Sequence, residues 1–102
     1  LILLATTAAA APDRPFYSAD KLQALCESSD GDERLRCRAY IVGAADAMHG
    51  GHAICMAPAT TTEDLVELVM AQLVRSDEEV ARRAETEIHK ALTAAFPTPP
   101  CM

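Results

Sequence analysis

The run Cys37-Arg38-Ala39-Tyr40-Ile41-Val42-Gly43-Ala44-Ala45-Asp46-Ala47-Met48 decides the fold. Cys37, Ile41, Ala44 and Met48 recur at intervals of four, three and four residues, the period that places side chains on one buried face of a helix. A helix from about Glu33 to Met48 is therefore expected. Gly43 and the alanines beside the stripe would let a neighbouring helix approach closely. With two tyrosines, two phenylalanines and no tryptophan in the chain, such close packing has to replace large side chains. The helix is expected to be central. Gly50-Gly51 should end it, because glycine reaches positive φ without steric cost.

Working outward, three more apolar-periodic stretches read as helices. Upstream, Ser18 is a good N-cap, Asp20 suits the positive end of the helix dipole, and Leu22, Leu25 and Cys26 form one stripe. Ser28-Ser29-Asp30-Gly31 stops it. Downstream, any of Thr60, Thr61 and Thr62 can cap a third helix, and Thr60 stands in capping-box register with Glu63. Its core side is Leu65, Leu68, Val69, Gln72 and Leu73, and it breaks near Arg75. A fourth helix should open with a box from Ser76 to Glu79 and bury Val80, Ala84, Ile88, Ala91 and Ala95. Phe96-Pro97-Thr98-Pro99-Pro100 cannot continue it. The expectation is an all-α protein, a small four-to-five-helix bundle with antiparallel neighbours.

Helix ends sort the four cysteines. Cys26 closes the first helix and Cys37 lies in the first turns of the second, whereas Cys55 follows the second and Cys101 follows the fourth. Disulfides Cys26-Cys37 and Cys55-Cys101 follow from that sorting, worth roughly 3 kcal/mol and about 4 kcal/mol in the chain-entropy model. Intervals of 11, 18 and 46 residues do not match the C-x2-C spacing of structural zinc sites.

Paired thiols imply a compartment outside the cytosol. The front of the chain agrees. Leu1-Ile2-Leu3-Leu4-Ala5-Thr6-Thr7 and the alanines Ala8 to Ala11 read as the apolar part of a secretory signal, with Ala8 to Ala10 the cleavage neighbourhood. Residues 1–11 are thus assigned to a residual signal peptide and 12–102 to a single helical domain. The apolar run is about half of the roughly 20 residues a bilayer span needs, so no membrane span is expected. A net charge of −6 excludes the basic face that nucleic acid requires and favours a basic protein partner.

No catalytic constellation stands out. His49, His52 and Cys55 form an H-x2-H-x2-C group, but Cys55 is better used in a bridge, and neither metal nor cofactor is expected. Cys55, His89 and Asp46 share no spacing that supports nucleophilic catalysis, and Asp46 reads as a hydrogen-bonding partner for a nearby loop. Arg34, Arg36 and Arg38 point in different directions, and Arg82-Arg83 with Glu85 and Glu87 reads as an ion-paired exposed face. Met48, Met56 and Met70 read as core filler.

The order Leu25-Cys26, then Cys37 to Asp46, then Cys55 followed by Pro58, then the Leu65 to Leu73 helix, then Ala91-Leu92 to Ala95-Phe96-Pro97 and a terminal Cys101 resembles the Rap/Tai immunity proteins of type VI secretion systems. The most specific piece is C-x2-Y-I-x-G-x2-D. One departure is Thr98-Pro99-Pro100, which separates Phe96-Pro97 from the last cysteine. The resemblance implies a periplasmic, disulfide-bonded helical protein that is no enzyme, blocks the active site of a peptidoglycan amidase effector, and often works as a homodimer. On the motif positions Cys26, Cys37, Tyr40, Ile41, Gly43, Asp46 and Cys55, it implies scaffold. Contact with the effector is expected instead at the loop His49 to His52 and at the turn Arg75 to Glu79, where Asp77, Glu78 and Glu79 would steer a basic partner. The competing class is a periplasmic chaperone or envelope stress protein of the acid-stress kind. Non-reducing digestion and mass spectrometry should release a Cys26-Cys37 peptide pair and a Cys55-Cys101 pair; a Cys26-Cys55 peptide would contradict the sorting by helix ends.

Overall fold

The structure, a computed structural model, describes residues 16–75, 82–97 and 101. The leader, the expected Ser76-to-Glu79 box with Asp77, Glu78 and Val80, and the Thr98-Pro99-Pro100 spacer lie outside them. Four helices follow in order: α1 Ala19–Glu27, α2 Gly31–Gly50, α3 Thr62–Arg75 and α4 Ala84–Ala95. Among the described residues the only extended pairing is an isolated antiparallel bridge between Ser18 and Arg83.

Ser18 caps α1 as its residue type dictates: its hydroxyl accepts from the Lys21 amide at 3.0 Å, worth about 1 kcal/mol. Ala19, Leu22 and Leu25 are buried beneath it. The turn to α2 is held locally, since the Asp30 amide donates to Ser28 Oγ at 3.0 Å and Arg34 Nη1 donates to the Ser29 carbonyl at 3.3 Å.

Helix α2 is longer than expected, and its buried line is Cys37, Ile41 and Ala45. Ala44 and Met48 are only partly covered. An unbroken i, i+4, i+8 row faces the core, so the expected four, three, four stripe drifts off it by its third member. Gly43 is exposed, and a Cβ placed there would meet nothing within 4 Å. The close helix approach expected at that glycine does not occur. The helix packs on all three others yet turns a broad side outward, with Leu35 63% exposed.

The end of α2 also differs from expectation. No glycine among the described residues has positive φ; the left-handed residue is His52, at φ 65°. Gly51 sits at φ −87°, and a Cβ there would stand 3.1 Å from the Ala47 carbonyl oxygen. Glycine is favoured there by a close approach, not by handedness.

Helix α3 begins with a reciprocal capping box one residue later than the Thr60 register. The Thr61 amide donates to Asp64 Oδ2 at 3.0 Å, and the Asp64 amide donates to Thr61 Oγ1 at 3.1 Å. Leu65, Val69 and Leu73 point into the core, with Leu68 and Gln72 half-buried beside them. Helix α4 does not run on from the expected upstream cap without a break, because Arg82 and Arg83 are not helical. The Ala19 amide donates to the Arg82 carbonyl at 2.8 Å and the Ala84 amide to the Tyr17 carbonyl at 3.1 Å, so α1 and α4 begin side by side. Ala84, Glu87, Ile88, Ala91 and Leu92 are buried, whereas Ala95 is exposed.

Both disulfides form as the helix ends dictate, Cys26 to Cys37 with Cα atoms 5.0 Å apart and Cys55 to Cys101 with Cα atoms 5.5 Å apart. The Cys55 amide also donates to the Pro97 carbonyl at 3.0 Å, tying the loop after α2 to the chain leaving α4. A left-handed β-carbon-bearing residue costs about 1–2 kcal/mol, partly recovered in the unfolded chain when glycine replaces it. His52→Gly should therefore raise stability by about 0.5–1 kcal/mol, read as a higher urea midpoint with unchanged slope.

Candidate functional site

The loop between α2 and α3 gathers most of the chemistry. His49, in the last turn of α2, accepts the Met56 amide on Nδ1 at 3.1 Å, which leaves the neutral ring its proton on Nε2. Cys55 is spent in its bridge. The H-x2-H-x2-C run is therefore a loop brace, and no group of three or more metal-ligating side chains forms among the described residues. Val42, Asp46, His49, Met56, Pro58 and Thr61 line a groove of about 300 Å³ between α2 and the loop. Asp46 is exposed at its edge and makes no hydrogen bond among the described residues, so the loop contact expected of it is absent.

A second groove, about 500 Å³, lies on the other side of Thr60, between α3 and the C-terminal end of α4. Its floor is Leu68, Ala71, Ala95 and Phe96, and its rim carries Asp64 and Glu67. These residues come from two helices and the loop between α2 and α3, so no local pattern announces them.

The most unusual side chain is Glu87, 1% exposed inside a largely aliphatic core. Gln72 Nε2 donates to its Oε1 at 3.0 Å, Arg82 Nη1 stands 3.3 Å from the same oxygen, and Lys90 Nζ lies 3.7 Å from Oε2. Arg82 Nη1 is buried and poorly aligned for a hydrogen bond, so it acts as a nearby charge. Burial alone pushes the Glu87 carboxyl up; the Gln72 hydrogen bond and the charges of Lys90 and Arg82 overcome it and leave the group below its ordinary value. The exposed ion-paired face expected here is real only for Arg83 and Glu85, 3.1 Å apart. Glu87 and Arg82 instead brace the start of α4 against α3.

Above that brace, Tyr17 stacks on Tyr40 with centroids 4.7 Å apart, and the Arg83 guanidinium lies 4.3 Å from the centroid of the exposed Phe16 ring. Burial, then the Glu85 carboxylate, pushes the Tyr40 phenol up. Tyr40 stays neutral and packs. Arg38 pairs with Glu63 at 2.6 Å while Arg34 serves the α1–α2 turn, so the three arginines of α2 form no common cradle. Met48, Met56 and Met70 are half-buried against the core.

The candidate contact residues are divided by the fold. His49 and His52 are exposed where α2 finishes and α3 begins. Arg75 is exposed at the other end of α3, about 20 Å away along a 14-residue helix. Asp77, Glu78 and Glu79 lie outside the described residues. Of the motif positions, Cys37 and Ile41 are buried and Tyr40 half-buried, whereas Gly43 and Asp46 face outward.

A short helical chain with two disulfides, no assembled catalytic group among its described residues and two open grooves at one end has the build of a protein-binding module. The model of the family described as Rap1a immunity proteins matches residues 18–98, and the chain belongs to that family. No curated protein matches it. Immunity proteins bind an effector protein and are generally not enzymes, and no helix among the described residues is long and apolar enough to cross a membrane.

Glu87 carries a pH signature. Its folded value is depressed, so its stabilisation is complete above the unfolded value of about 4.3 and is lost as pH falls through the folded value. Glu87→Gln should cost about 3 kcal/mol near neutrality, because Arg82 keeps a buried charge without its counter-ion. Urea titrations should show that deficit shrinking below about pH 4; a deficit independent of pH would assign the effect to packing.

Proposed function

We propose that this chain is a periplasmic immunity protein of a type VI secretion system, which neutralises a peptidoglycan amidase effector by covering its active site and performs no catalysis of its own. The family match over residues 18–98 carries this reading. The two disulfides support an oxidising compartment, and the leader at residues 1–11 supports export, with residues 12–102 as the working domain. The proposed contacts are His49 and His52 at one end of α3 and Arg75 at the other, together with Asp77, Glu78 and Glu79, which follow Arg75 in sequence, with a homodimer as the working unit.

Amidases that cut peptidoglycan are lethal in the periplasm, so protection is a direct readout. Co-expression of this chain, exported, with the product of the adjacent open reading frame should rescue cells from the lysis that product causes, and deletion of the leader should abolish rescue. Lysis unchanged by the exported chain would overturn the reading. Suppressed aggregation of many unrelated clients at low pH, without protection from lysis, would favour the acid-stress chaperone class instead.

A further inference from the structure

We infer that the groove between α3 and the C-terminal end of α4 is the anchoring surface for the partner, and that it takes an apolar side chain flanked by lysine or arginine. This deepens the immunity reading and rests on it. Leu68, Ala71, Ala95 and Phe96 form an apolar floor in a concavity of about 500 Å³, a size that accepts one large side chain together with its neighbours.

The charge around that floor selects the occupant. Three helical carboxylates meet cations, Glu63 with Arg38, Glu85 with Arg83 and Glu87 with Arg82 and Lys90; what distinguishes the rim is that its carboxylates border an apolar concavity. Asp64 and Glu67, on the groove rim, have no cation within ion-pairing distance among the described residues. Asp64 is also held in place, since its Oδ2 accepts the Thr61 amide. Two unneutralised carboxylates over an apolar floor, on a chain of net charge −6, fit a basic and partly apolar protein element; they repel nucleic acid.

The groove is also stiff. The disulfide Cys55–Cys101 and the Cys55-to-Pro97 hydrogen bond fasten the loop carrying Thr60 to the segment carrying Phe96. Binding there orders little chain that is not already ordered, which removes a main cost of association. The groove beside α2, in contrast, is edged by a single unpaired carboxylate among the described residues, that of Asp46.

The experiment measures binding of the protein encoded by the adjacent open reading frame to wild type and to Glu67→Lys, Ala71→Arg and Arg36→Ala, each first shown to melt like wild type. Glu67 and Ala71 are exposed, so both substitutions should fold. Ala71→Arg should weaken binding at least about tenfold, mainly by faster dissociation. Glu67→Lys should do so with a shallower dependence on salt, and Arg36→Ala should bind as wild type. Binding by wild type with both groove variants unimpaired would overturn the groove and leave the immunity reading intact. No binding by wild type would overturn both.

Discussion

Fourteen apolar side chains make up the buried core of the described residues, and none is aromatic. Burial of each Leu, Ile or Val contributes about 1.5–3 kcal/mol, and five of the fourteen are alanine or cysteine, which contribute less. A core so thin cannot fix four short helices by packing alone. Covalent ties make up the difference where the chain would otherwise fray. Cys37 is itself a core residue, so the first bridge joins α1 to α2 at the buried stripe. The second joins the loop that buries Ile54 to the segment that packs Phe96 against the core. Closing a 46-residue interval, the second bridge restricts the unfolded chain more than the first, which closes 11.

The same scarcity explains the polar brace at α4. Glu87 occupies a position that an aliphatic residue could fill, at the cost of desolvating a carboxylate. What it supplies is direction: Gln72 fixes the register of α4 against α3, and Arg82 fixes the backbone just before Ala84. The Ser18–Arg83 bridge then sets where α1 starts relative to α4. A hydrophobic side chain would fill the space without specifying those contacts.

Legibility in the sequence tracked how local the cause was. The cap at Ser18 and the core rows of α1 and α3 depend on residues within one or two turns, and they read correctly. Cysteine pairing was legible because helix ends, once placed, leave few partners within reach. His52 was not: two adjacent glycines offered the obvious left-handed position, and only the 3.1 Å approach of the Ala47 carbonyl oxygen to a Cβ at Gly51 shows why glycine suits the neighbouring residue. Three consecutive threonines gave three acceptable caps, and the register that won is the one with an acid, Asp64, that reaches back. The extended Arg82-Arg83 step and the buried Glu87 depend on Ser18 and Gln72, far away in sequence, so a helical period running through them misleads. Of the candidate surface, His49 was legible as an exposed polar residue but lies in the last turn of α2, not in the loop; the groove floor, shared by α3 and α4, was not legible.

The division between scaffold and surface follows from these constraints. Within C-x2-Y-I-x-G-x2-D, Cys37, Tyr40 and Ile41 face inward and are tied to α1 by the disulfide, to Tyr17 by stacking and to the core by burial. Such residues report which fold a chain adopts and say nothing of what it binds. Recognition has to be carried by side chains that the core leaves free. At the end of the bundle where α2 finishes and α3 begins, those side chains mix polar Asp46, His49 and Asp64 with apolar Leu68 and Phe96, beside a loop closed by Cys55–Cys101. A substitution at the polar positions alters shape and charge at the surface without disturbing a buried contact. The helical frame thus separates a buried scaffold from its outward-facing side chains, and the Cys55–Cys101 disulfide adds a covalent tie at that end of the bundle.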